Sequence, residues 1–292
     1  MLIPPRRILL SGGGIRAVAH LGALQFLESK GLLKAVKEFV GVSAGAFIGF
    51  CLAIGYTVSE LRLLCILFDF SLIRNLDPEA AFLFPSTLGV DDGQNLNKLL
   101  ITLLKAKNLS ADITFKDLRL YSLRCYATDL HTTKMREFSS VKTPTIKLVD
   151  ALRATMSLPA YFTPVADPES GNMLIDGGIL HNFPMDILTE AEIKETIGIA
   201  FSYDSNLRIN DISDLPTFFS QIFACYFIPR TYEIYKEHKD RCILIPIGEY
   251  PAWNFEATRE EREHIIEEGT KAAKAFCDTF KVRKPLRRYS VS

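Results

Sequence analysis

The stretch KEFVGVSAGAFIGFCLAI, residues 37–54, decides how this chain folds. Phe39-Val40 is a short apolar pair, Gly41-Val42-Ser43-Ala44-Gly45 is a Gly-x-Ser-x-Gly turn, and an apolar run follows to Ile54. Glycines on either side of the serine let a strand turn sharply into a helix. The serine is then left at the tip of a tight elbow, near the positive end of the helix dipole. Two other readings compete. Phe39 to Ser59 is uncharged and of membrane-spanning length, about 20 residues. Gly41, Ser43, Gly45, Gly49 and Gly55 interrupt it, which suits a buried strand entering a buried helix better than a span. Small residues are also common in tight core packing, so the turn gains meaning only from its surroundings.

Upstream, Ile8-Leu9-Leu10 reads as a strand apolar on both faces, as in a parallel sheet. Gly12-Gly13-Gly14 follows, then a helical pattern with Val18, Leu21, Leu24 and Leu27 on one face and Gly31 as its stop. Downstream, 61–104 is helix-rich, with breaks expected at Pro78 and Pro85. Strands are expected at 121–128, 134–138 (paired with the one before), 173–175, 195–201 and 243–247, and helices at 148–156, 215–235 and 258–280. Alternating strand and helix predict an α/β fold, a three-layer α/β/α sandwich around a central, mostly parallel sheet. No repeat or linker divides the chain, so residues 1–280 are expected to form a single domain followed by a basic tail at 281–292.

The chain has 292 residues, with 34 basic and 34 acidic groups, and no electrostatic case for nucleic acid. The tail holds Lys281, Arg283, Lys284, Arg287 and Arg288 and no acid, leaving 29 basic against 34 acidic groups before it. Such a tail reads first as a solvated terminus and second as a contact with anionic lipid. Six cysteines lie scattered without a CxxC; most sit in apolar surroundings and read as buried free thiols of a reducing, cytoplasmic compartment, and metal binding is not expected. Met1 to Arg7 lacks the pattern of a secretory signal.

Three glycine-marked segments carry the chemistry. Gly12-Gly13-Gly14 offers successive backbone N–H groups at a helix start, suited to the oxyanion of a tetrahedral intermediate, with Arg16 as a fixed charge or a brace. Gly12-x-Gly14-x-x-Ala17 after a strand also matches a dinucleotide fingerprint, making a nucleotide-binding oxidoreductase an alternative. Its acid would have to be Glu38, which precedes the second strand instead of closing it. Asp176-Gly177-Gly178 ends an apolar strand and is read either as a turn or as the base for Ser43. A Ser-His-Asp esterase needs a histidine after the acid, and His181, His238 and His264 are available. None sits in a glycine-marked loop, which favours a Ser43-Asp176 dyad.

At these residues the sequence resembles the patatin-like phospholipase family, including the related cytosolic phospholipase catalytic domains. The glycine loop, the Gly-x-Ser-x-Gly turn and the Asp-Gly-Gly occur in the family's order. His20-Leu21-Gly22-Ala23-Leu24, RATMSLPAYFTPV at 153–165 and DGGILHNFP at 176–184 are also similar to family segments. The resemblance covers about residues 6 to 200, with Ala17 and Ala160 standing where the family commonly has glycine. It implies a metal-independent, cofactor-free serine ester hydrolase of the phospholipase A or lysophospholipase type. By resemblance, Ser43 is the nucleophile, Asp176 its partner, and Gly12, Gly13, Gly14 and Arg16 the oxyanion hole. The expected partners are a phospholipid or other acyl lipid and, transiently, a membrane surface; a protein activator is compatible but not indicated. His20 is expected to be a packed helix residue. The apolar stretches 61–70, 80–84 and 218–228 are candidates for an acyl channel or a membrane contact.

Overall fold

The computed structural model describes residues 3–75, 80–202, 212, 215–247, 250, 254 and 256–281. The strands are β1 (Arg7–Leu10), β2 (Glu38–Val42), β3 (Gly89–Asp91), β4 (Ser122–Asp129), β5 (Lys134–Ser139), β6 (Ala160–Phe162), β7 (Val165–Ala166), β8 (Met173–Asp176), β9 (Thr196–Ser202) and β10 (Cys242–Pro246). The helices are α1 (Val18–Ser29), α2 (Ala44–Ala53), α3 (Val58–Leu67), α4 (Ala80–Thr87), α5 (Gln94–Ala106), α6 (Leu148–Thr155), α7 (Gly178–His181), α8 (Glu190–Lys194), α9 (Leu215–Glu237) and α10 (Arg259–Lys281).

Five strands in the order β10-β9-β1-β2-β4 run parallel, with β1 at the centre. β8 pairs antiparallel with β4 through Ala127–Asp129, β7 extends the sheet beyond it, and β5 folds back antiparallel on β4. The period-two direction of strand side chains sorts the core into two layers. Ile8 and Leu10 join Phe39, Leu123 and Ile197 in a large core beneath α1, α2, α3, α5, α6 and α10. Leu9 points the other way, into a smaller core with Val40, Tyr126, Phe183 and Ile234 of α9. Strands buried on both faces must be apolar throughout, which is why β1 and β9 read as unbroken apolar runs. The sheet is thus mostly parallel and covered by helices on both faces, as expected.

Other expectations need correcting. Pro85 lies inside α4 and does not break it, because in a two-turn helix a proline forfeits a single backbone bond. Pro78 and residues 282–292 of the basic tail lie outside the described residues. The uncharged segment 39–59 is divided among β2, α2 and the start of α3, and among the described residues no helix is long and apolar enough to cross a membrane. Gly31 stops α1 as expected, with φ of 72° and its N–H on the Glu28 carbonyl.

Candidate active site

Leu10 lies opposite Gly41 in the β1–β2 ladder, so the glycine loop and the serine turn leave the sheet together at its C-terminal edge. Ser43 caps α2 with φ of 52° and ψ of −127°, a conformation that side-chain-bearing residues avoid. The neighbouring glycines are required by close approach. A Cβ on Gly45 would fall 2.4 Å from the Leu10 carbonyl oxygen, and one on Gly41 would fall 2.5 Å from the Ala46 nitrogen. β8 brings Asp176 beside Ala127, and Ser43 and Asp176 line one cavity. Asp176-Gly177 does not make a hairpin; it leads into α7.

Asp176 is 3% exposed. Its Oδ1 accepts the Gly178 N–H at 2.7 Å, while Oδ2 has no hydrogen-bond partner among the described residues. Burial pushes its pKa up to about 7, against the opposing pull of the Ser43 hydroxyl and the Gly178 amide. Ser43 is therefore within electrostatic reach of the carboxylate, although no normal hydrogen bond closes on Oδ2.

The glycine loop differs from expectation in one respect. The Gly12 N–H donates to the Asn182 carbonyl at 3.1 Å, and the Gly12 carbonyl accepts Asn182 Nδ2 at 3.1 Å. Gly12 is thus held by Asn182, and the three-amide cradle narrows to Gly13 and Gly14, whose N–H groups have no acceptor among the described residues. The Phe201 ring packs on Gly13, where a Cβ would meet it at 2.3 Å. Arg16 is buried and its Nε donates to the Tyr250 carbonyl, so it ties the loop to the main chain at residue 250. His20 is a packed residue, as expected. Its Nε2 bonds the Ser11 carbonyl at 3.0 Å, its ring stacks on Phe201 at 4.6 Å, and burial drives its pKa down to about 4.

From these polar groups a cavity of about 150 Å³ runs between apolar walls. Cys65 and Phe70, from the first apolar stretch, and Phe223 and Phe227, from the third, are among its lining residues. Of the second stretch, Phe82, Leu83 and Phe84 are not among its lining residues, and Phe82 is 87% exposed on α4. Such a shape suits a long apolar ligand with one polar group at the Ser43 end.

The alternative site residues are not brought together. None of the five histidines lines this cavity. His181 pairs with Asp186 and Arg230, His238 follows the C-terminus of α9, and His264 is exposed on α10. Glu38, the acid of a nucleotide site, sits at the start of β2 between Arg7 and Arg124, at the opposite end of the strand from Ser43. Thr155 and Asn182, which hold Ser43 and Gly12, were missed as site residues although both lie inside family-like segments. The Tyr250 carbonyl left no signal in the sequence.

The fold is of the α/β class, with a serine, a carboxylate and a glycine loop gathered at one cavity, and comparison with known proteins names the family. A sequence model of the patatin-like phospholipase family matches residues 8–189, and the chain belongs to that family. It is 32% identical over 193 residues to Probable lipid hydrolase 463L of Invertebrate iridescent virus 6, covering 65% of each chain. It is 28% identical over 211 residues to mouse patatin-like phospholipase domain-containing protein 6, covering 72% of this chain but 14% of that one. Its fold is similar to that of VipD from Legionella pneumophila, with a TM-score of 0.65 and 18% identity over 95% of this chain and 67% of that chain. Family membership supports lipid acyl hydrolysis as the general class of activity.

Proposed function

We propose that the protein is a phospholipase A or lysophospholipase that cleaves fatty-acyl esters through an acyl-serine on a Ser43–Asp176 dyad, with residues 1–280 as one catalytic domain. The observation that carries this reading is the buried Asp176 carboxylate, with a free Oδ2, a pKa of about 7 and Ser43 beside it in the same cavity. A base with a pKa near working pH is ionised often enough to accept a proton and acidic enough to return it. Asp176 takes the hydroxyl proton as Ser43 Oγ bonds to the ester carbonyl carbon. The Gly13 and Gly14 N–H groups, at the start of the Gly14–Ala17 turn, receive the oxyanion. The C–O ester bond then breaks, and the proton passes from Asp176 to the leaving alcohol. Water attacks the acyl-serine, gives its proton to Asp176, and fatty acid departs as Ser43 Oγ regains that proton. No step in this scheme calls on a metal or cofactor.

The test is labelling by a fluorophosphonate together with hydrolysis of phosphatidylcholine and lysophosphatidylcholine. The wild-type chain should label at Ser43 and release fatty acid, and Ser43→Ala should do neither. His238→Ala and His264→Ala should stay within about twofold of wild type, since neither side chain reaches the cavity. Hydrolysis persisting in Ser43→Ala, or abolished in either histidine variant, would overturn the dyad.

A further inference from the structure

The segment RATMSLP, residues 153–159, has no part in the steps above, yet it grips both proposed reacting residues by their main chains. The Ser43 N–H donates to Thr155 Oγ1 at 2.9 Å, and two residues further on the Ser157 carbonyl accepts the Asp176 N–H at 2.8 Å. The Thr155 hydroxyl is fully buried and donates in turn to the Tyr126 carbonyl at 2.5 Å. Gly177 lies against that same oxygen, since a Cβ there would fall 2.1 Å from it. One hydroxyl therefore links the elbow of the serine to the strand carbonyl on which the loop of the carboxylate rests. Arg153 stiffens the segment, with Nη1 donating to Ser157 Oγ at 2.9 Å.

We propose that Thr155 is a positioning residue for Ser43: its hydroxyl locks the strained elbow and, through the Tyr126 carbonyl, sets the gap across which Ser43 passes its proton to Asp176. The proposal rests on the dyad reading above. A non-glycine residue at φ of 52° persists only where its surroundings over-determine it, and the Thr155 hydrogen bond acts on the nitrogen of that residue. A hydroxyl is suited to the place because a single oxygen accepts from one amide while donating to a carbonyl. Valine has the same outline and does neither, leaving the Ser43 N–H and the Tyr126 carbonyl without this partner. The carboxylate Oδ2 already lacks a closed hydrogen bond, so the gap has no slack to lose.

The experiment compares Thr155→Val and Thr155→Ser with wild type, reading kcat and KM on lysophosphatidylcholine and the rate of fluorophosphonate labelling of Ser43. Thr155→Val should lower kcat and the labelling rate together by about 10- to 100-fold while KM moves by less than about threefold. Thr155→Ser, which keeps the hydroxyl, should recover to within about threefold of wild type. Thr155→Cys, with a weakly bonding thiol, is the second variant should valine prevent folding, and its loss should fall between the two. Full activity in Thr155→Val or Thr155→Cys overturns the proposal. So does a Thr155→Ser variant as impaired as Thr155→Val, because the methyl group would then be what matters. A wild-type chain that neither labels nor hydrolyses would instead sink the dyad itself, so the two failures are distinguishable.

Discussion

The two ends of the central sheet treat charge in opposite ways. At the N-terminal end, Glu38 lies 2.5 Å from Arg7 and 3.0 Å from Arg124, and Glu192 reaches the same two arginines at 3.4 and 2.9 Å. Burial would raise the Glu192 pKa, but the Thr189 amide and Arg124 hold it down at about 2. At the C-terminal end, Asp176 is buried with one oxygen unbonded, and Ser43 stands at positive φ. One end satisfies every member of a four-charge network; the other keeps a carboxylate in apolar surroundings, where ionising it costs energy. Stability alone selects the first arrangement. The second is what proton transfer near neutral pH requires, and the contrast supports the C-terminal end as the place of the proposed chemistry.

Asp176→Asn breaks this contrast with the largest effect. Without a base, hydrolysis should fall by about 10³-fold or more in steady-state assays. The same variant should be more stable. The folded pKa of Asp176, about 7, lies above its ordinary value of 3.8. The stability contribution of this group is therefore complete below about pH 4 and lost as pH rises through about 7. Asparagine has no such loss. Its advantage in melting temperature should be small at pH 4, grow to pH 7 and level off above, reaching several degrees. A variant that is less stable than wild type at pH 8 would contradict the burial argument. In the wild type, kcat/KM should climb with pH through about 7, as the carboxylate ionises.

Much of this contrast is legible in the sequence. β1, β2 and β9 are short apolar runs, and each proposed reacting group follows one of these or β8, marked by glycine. What escapes is whatever depends on main-chain partners far along the chain. Thr155 meets Ser43 across 112 residues, Asn182 meets Gly12 across 170, and Arg16 finds the Tyr250 carbonyl across 234. A carbonyl acceptor has no residue type, so nothing in the sequence announces it. β3 and β6, of three residues each, are too short to show a period. The removal of Gly12 from the proposed amide cradle is of the same kind, because it is decided by the Asn182 carbonyl.

Glu38→Gln tests the satisfied end. It removes one of two acids shared by Arg7 and Arg124, whose side chains are 13% and 18% exposed. Stability should drop by about 1–3 kcal/mol in denaturant titrations. Fatty-acid release should stay within about twofold of wild type at temperatures where the protein is folded. An activity loss larger than the unfolded fraction explains would mean that the two ends are coupled.

The smallest effect asks whether strain on the active-site side is always functional. Ala160 stands where the family commonly has glycine, and it keeps a glycine-like conformation, with φ of 64°. It begins β6, opposite Gly89, between Leu158 and Phe162 of the cavity wall, but is not itself part of that wall. An alanine in the left-handed region costs about 1–2 kcal/mol, and glycine returns part of that as greater backbone entropy in the unfolded chain. Ala160→Gly should therefore stabilise by about 0.5–1 kcal/mol, a rise of a few degrees in melting temperature, with hydrolysis unchanged. That outcome would separate Ala160, whose strain is dispensable, from Ser43, whose strain places the proposed nucleophile. A fall in activity would instead assign the β3–β6 ladder a part in shaping the cavity.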